Sequence, residues 1–151
     1  MLQRTNRNFE KLRTKLEKKS ITQFHLGLKE FLDGAIIKKN GIYLFENLAV
    51  DFLYSSDFQD KVGSEWQVNK IFINQYIEPF DDAEESLLVG YSFANKLAEK
   101  IKEELGKGFR IVLTFDYNTT KVAFYKQRPG EILILDDLEK YETDALMLFD
   151  T

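Results

Sequence analysis

Residues able to carry protons or attack electrophiles near neutral pH are scarce in this chain. It has one histidine, His25, and no cysteine. Imidazole is the usual proton carrier at that pH. His25 falls inside a stretch of helical apolar spacing with no nucleophile beside it, so it reads as a surface or hydrogen-bonded core residue. With no thiol present, disulfide frameworks, thiolate zinc sites, iron–sulfur clusters and cysteine nucleophiles are excluded together. The eight glycines are scattered. They build neither GxGxxG nor GxxxxGK followed by Ser or Thr, so no phosphate-cradling loop is present, and a GxSxG elbow is absent too.

Carboxylates remain. Asp116 ends an alternating apolar run, and Asp136-Asp137 lies between an apolar run and a polar turn. Acids so placed can hold Mg²⁺ in nucleases and phosphatases. The same positions are where aspartate ordinarily starts a turn or caps a helix. No ligand spacing identifies a metal site, and no metal or cofactor is expected.

Two clusters of acids stand out. Glu78, Asp81, Asp82, Glu84 and Glu85 precede a helical pattern, where the helix dipole favours negative charge. The second cluster lies within residues 131–150, and from it Asp136, Asp137, Glu139, Glu142 and Asp144 are the candidate partner-binding residues. Such a patch can mimic phosphate or steer a basic partner by electrostatics.

The net charge of −4 hides an asymmetry: residues 1–20 carry +5 and the remaining 131 carry −9. A basic segment can meet phosphate or membrane. It can equally be a solvated helix face, or pack on the chain's own acidic body. Residues 1–20 hold a single aromatic, Phe9, so no interleaved stacking platform exists and nucleic-acid binding is not expected. No apolar run approaches the roughly 20 residues of a membrane span, and no signal-peptide core follows the basic N-terminus. A soluble, cytoplasmic protein without membrane attachment is the expectation.

The 151 residues suit one α+β domain, 1–151, able to bury roughly 70% of its unfolded surface without disulfide or metal. Phe9, Leu12 and Leu16 predict a helix over 8–19. Ser20 or Thr22 can cap a second helix through Leu32, ended by Gly34 in a left-handed conformation, unless the two form one bent helix. Asn40-Gly41 between apolar runs predicts a β-hairpin of Ala35–Lys38 with Ile42–Phe45. Leu48–Tyr54 reads as a third strand, 55–64 as loop, and Trp66–Ile77 as strand.

Acids from Asp81 followed by apolar residues every three or four positions predict a long helix over 82–105, stopped by Gly106. Phe109–Phe115 alternates as a half-buried strand. A turn over 117–120 leads to a strand over 121–126, Ile132–Leu135 is a short apolar piece, Asp136 or Asp137 caps a helical turn, and Ala145–Phe149 closes as a strand. The expected architecture is a mainly antiparallel sheet, with N-terminal helices and one long central helix packed on one face.

The segment Lys121-Val-Ala-Phe-Tyr-Lys-Gln-Arg-Pro-Gly-Glu131, then Asp136-Asp137-Leu-Glu-Lys-Tyr141 and an apolar strand, resembles the endings of small bacterial immunity proteins. Those proteins partner polymorphic or contact-dependent growth-inhibition toxins. The likeness covers about thirty of the 151 residues. It implies a single-domain cytoplasmic protein that is not an enzyme and blocks a cognate toxin domain by binding it, often over the active site. The five acids above would then form part of the contact surface. Two other readings stand beside it: a non-catalytic interaction or regulatory module, and a carboxylate-dependent metal hydrolase using Asp116 with Asp136 or Asp137.

Overall fold

The computed structural model describes residues 1–19, 21, 23–49 and 60–151. In chain order its elements are β1 (Leu2–Thr5), α1 (Arg7–Glu17), α2 (Leu26–Asp33), β2 (Ile36–Lys39), β3 (Ile42–Phe45), α3 (Glu46–Ala49), α4 (Lys61–Val68), β4 (Ile71–Phe72), α5 (Ala83–Leu105), β5 (Phe109–Phe115), β6 (Thr120–Lys126) and β7 (Ala145–Asp150). Short 3-10 turns cover Ile73–Tyr76 and Leu138–Lys140. The fold is α+β, with one five-stranded antiparallel sheet in the order β1-β7-β5-β6-β4 and a separate β2–β3 hairpin.

Strand alternation divides the sheet's side chains between two layers. Phe109, Ile111, Leu113 and Phe115 of β5 point to the layer that holds α1, α2 and α5, together with Val122, Phe124, Met147 and Phe149. Val112, Tyr125, Leu146 and Leu148 point the other way, under α4 and residues 133–141. β5 is therefore buried on both faces, where its alternation suggested one wet side. Its most polar residue, Arg110, is buried by pairing with Asp150 on β7.

The long helix begins and ends where its sequence places it. Asp82 caps it by accepting from the Glu85 amide, and Gly106 stops it at φ 79°. Small residues let it approach the sheet: Ser86 hydrogen-bonds Thr120 side chain to side chain at 2.9 Å, and a Cβ on Gly90 would lie 2.4 Å from the Thr120 methyl. Thr120 is buried and β-branched, so it has little room to yield. Gly90→Ala is expected to lower stability by about 1–2 kcal/mol, as overpacking outweighs the helix propensity gained. A lower urea midpoint at unchanged m-value would show it.

Several sequence expectations are corrected. The second helix starts at Leu26, capped by His25, so His25 is not inside it; Ser20 and Thr22, the caps foreseen, lie outside the described residues. Lys18 closes α1, so the two helices are separate. Gly34 is extended at φ −76°, not left-handed; a Cβ there would meet the Glu30 carbonyl at 2.7 Å. Leu48 and Ala49 belong to α3, not a strand, and the rest of that expected strand lies outside the described residues. Residues 61–64, read as loop, and Trp66–Val68, read as strand, form α4; of the expected strand only Ile71–Phe72 is β. β1, a short polar edge strand, was not foreseen.

The misreading of α4 has a physical cause. Its buried residues are Val62, Ser64 and Glu65, continued by the capping Asn69, with Trp66 half-buried beside them. Three of those four buried positions are polar, so the apolar period vanishes. Glu65 and Asn69 do what a strand would do. Glu65 accepts from the amides of Tyr43 and Lys126 (both 2.7 Å), and Asn69 accepts from the Phe45 amide while donating to the carbonyls of Tyr43 and Phe124. Side chains of α4 thus join the β2–β3 hairpin to β6.

Candidate functional site

Residues 131–144 form an irregular arm, which the N-terminus pins against the sheet. Buried Asn6 makes four hydrogen bonds: its Oδ1 accepts from the amides of Phe9 (3.1 Å) and Leu146 (3.0 Å), and its Nδ2 donates to the carbonyls of Tyr141 (3.2 Å) and Asp144 (2.7 Å). Asn8 Nδ2 donates to the carbonyls of Glu142 and Asp144. Within the arm, the Leu135 amide donates to the Tyr141 hydroxyl at 3.0 Å. Ile134 and Leu138 anchor its underside on Val112, Leu146 and Leu148.

The five candidate acids do not converge on one point. Asp136 is 99% exposed at its side chain and lies 3.9 Å from Arg4, which also pairs with Asp150 at 3.6 Å. Asp137 caps the Leu138–Lys140 turn by accepting from the Glu139 amide. Glu139 accepts from the Arg7 amide in the first turn of α1, where the helix dipole favours an anion. Glu142 is exposed, and Asp144, half-buried, accepts from the Thr143 hydroxyl. Glu139, Glu142 and Asp144 therefore gather at the start of α1, while Asp136 sits by the Arg4–Asp150 pair.

Sequence reasoning missed the apolar members of this surface. Ile132 is 76% exposed and Leu135 45%, on either side of the inward-facing Leu133 and Ile134. The run Ile132–Leu135 carries no period that would separate the two pairs.

Beneath the arm, Arg110 forms a fork with Asp150 (Nε–Oδ1 2.6 Å, Nη2–Oδ2 2.9 Å). Burial is the largest single influence on that guanidinium and works to lower its pKa, but the Asp150 hydrogen bond, the charge of Asp150 and the Tyr125 hydroxyl together outweigh it, and the net shift is upward. Burial pushes the neighbouring Tyr125 phenol up, against the pull of Arg110.

Asp116 starts the turn between β5 and β6, its Oδ1 accepting from the amides of Asn118 (3.0 Å) and Thr119 (2.7 Å). The Thr119 hydrogen bond leads in holding its carboxyl below the usual value, opposed by partial burial. Since the folded value is depressed, the stability it adds is present above the unfolded aspartate value, about 3.9, and is lost as pH falls through the folded one. Asp116→Asn keeps the acceptor and removes the charge. We expect it to be less stable than wild type by under about 1 kcal/mol at neutral pH, given solvent screening. Urea titrations should show that gap closing as pH falls below about 3.9.

Asp116 follows the last residue of β5, while Asp136 lies by the ion pairs of Arg110 near its first, roughly 20 Å away along the strand. His25 is committed to structure, its Nδ1 accepting from the Gly27 amide at 3.0 Å. Among the described residues no three His, Asp or Glu side chains are grouped so as to hold a metal ion. Among them, too, no helix is long and apolar enough to cross a membrane.

Fold and surface together define an α+β protein with a five-stranded antiparallel sheet and a hydrogen-bonded, outward-facing arm. The chain belongs to the Uncharacterized protein PM0498 family, whose profile matches residues 4–151. Comparison with curated proteins and with solved structures returned no match.

Proposed function

We propose that this is a bacterial immunity protein of the cytoplasm, which neutralises a cognate toxin domain by stoichiometric binding. The observation carrying this reading is the outward display of Ile132 and Leu135 beside Asp136 and Asp137, on an arm tied down at its carbonyls. A loop ordered before binding loses little entropy on association. Exposed apolar side chains supply contact area, and the outward-facing carboxylate of Asp136 steers a basic partner. The sequence resemblance of residues 121–141 supports the same reading.

The reading predicts a large secreted protein encoded immediately upstream, and the test is titration of the purified protein with the C-terminal domain of that gene's product. A one-to-one complex is expected. Ile132→Ala and Asp136→Lys, both surface changes, should each weaken it roughly tenfold or more. Absence of a complex at micromolar concentrations refutes the reading. Wild-type affinity in both variants moves the interface elsewhere.

A further inference from the structure

Away from the arm, α1 and the first turns of α5 do not close on each other. Between them lies a slot of about 220 Å³ walled by Leu12, Leu16, Leu87 and Leu88, with Phe115 of β5 among its lining. An apolar cavity of about 150 Å³ stays dry and takes up benzene, so this slot has room for about nine carbon atoms. It is smaller than the roughly 300 Å³ at which sites for drug-sized ligands begin. Such a space suits a single short hydrocarbon or aryl group.

The mouth fixes the charge of that occupant. Lys15 and Lys19 both reach one carboxylate oxygen of Glu84, at 2.8 and 3.3 Å. Two ammonium groups thus share one acid. Lys11 on α1 and Lys18 at its C-terminal cap have no acidic partner among the described residues. The nearby acids are turned to other tasks: Asp82 caps α5, and Glu85 lines the separate cleft that holds His25. Among the described residues, the unmatched charge at the mouth is positive. These lysines are half-exposed, so their pairing with Glu84 is weak and readily exchanged.

We infer that the slot between α1 and α5 binds a small amphiphilic carboxylate, its hydrocarbon between Leu16 and Leu87 and its head at Lys15 and Lys19. This site is independent of the arm and of the toxin-binding reading.

Octanoate is the probe, titrated into ¹⁵N-labelled protein. Saturable shifts confined to the slot residues are expected. Lys15→Gln with Lys19→Gln should weaken binding roughly fivefold, and octanol, with the same chain and no charge, should be weakened alike. Ala83→Phe, at the mouth, should abolish binding. No saturable shift in wild type overturns the proposal, whatever the variants do. So does octylamine binding as tightly as octanoate, or octanoate binding undiminished in a folded Ala83→Phe protein.

Discussion

Glu65→Ala should lower stability by about 3–5 kcal/mol, as much as truncating a core phenylalanine. Glu65 is fully buried, and its two oxygens accept four hydrogen bonds. Two come from strand amides, Tyr43 and Lys126, and two from the Arg128 guanidinium, at 2.6 and 2.9 Å. Truncation would leave two strand amides without partners and a largely buried cation without its closest carboxylate, held only by the carbonyls of Gly41 and Lys126 and by Glu131 at 3.9 Å. Typical domains hold only about 5–15 kcal/mol in total, so loss of this scale is visible at once in a urea midpoint.

Removing both charges should hurt less. Glu65→Leu with Arg128→Leu replaces a buried ion pair by apolar volume, an exchange that is often neutral. Recovery should stay partial, because the two amides and the carbonyls of Gly41 and Lys126 that Arg128 serves remain unpaired. A loss under about 1 kcal/mol for Glu65→Ala would refute the account, by showing that water replaces the carboxylate.

Asn6→Ala should cost about 2–4 kcal/mol, combining a lost helix cap with a buried amide and two carbonyls left short of partners. Asn6→Asp separates the two roles. The carboxylate still accepts from Phe9 and Leu146, so α1 and the start of β7 keep their tie. It cannot donate to Tyr141 and Asp144, whose carbonyls it would now repel. Hydrogen exchange should accelerate across residues 135–144 in Asn6→Asp while α5 and β5 stay protected. On the proposed function, the same variant should bind the toxin domain more weakly, because the arm must then be ordered on binding. Uniform loss of protection would instead place Asn6 at the centre of global stability.

Much of the fold was legible where local chemistry and burial agree. The Asn40-Gly41 hairpin formed because both residues take positive φ, 52° and 78°. The Asp82 cap and the apolar period of α5 likewise reported the state they ended in. Legibility failed where a buried face is polar or a strand depends on a distant partner. In α4 the roles of Glu65 and Asn69 require strands twenty to sixty residues away. β1 is four largely polar residues that become a strand only because β7 offers its edge.

The candidate surface divides the same way. The acids of residues 136–144 were visible as a cluster, since net charge is written in residue types. Their separation into a group at the start of α1 and a lone Asp136 near Arg4 was not. Nor was the exposure of Ile132 and Leu135, because burial depends on what lies above a side chain in space.

What the sequence determined by itself was the fold class, the long helix, the hairpin and the lack of thiol chemistry, all set by residue type and short-range spacing. Only the tertiary structure decided that both faces of β5 are covered, that α4 stands in for a strand, and that an arm and a slot face outward. Those depend on contacts between residues far apart in the chain, and local propensity carries no record of them.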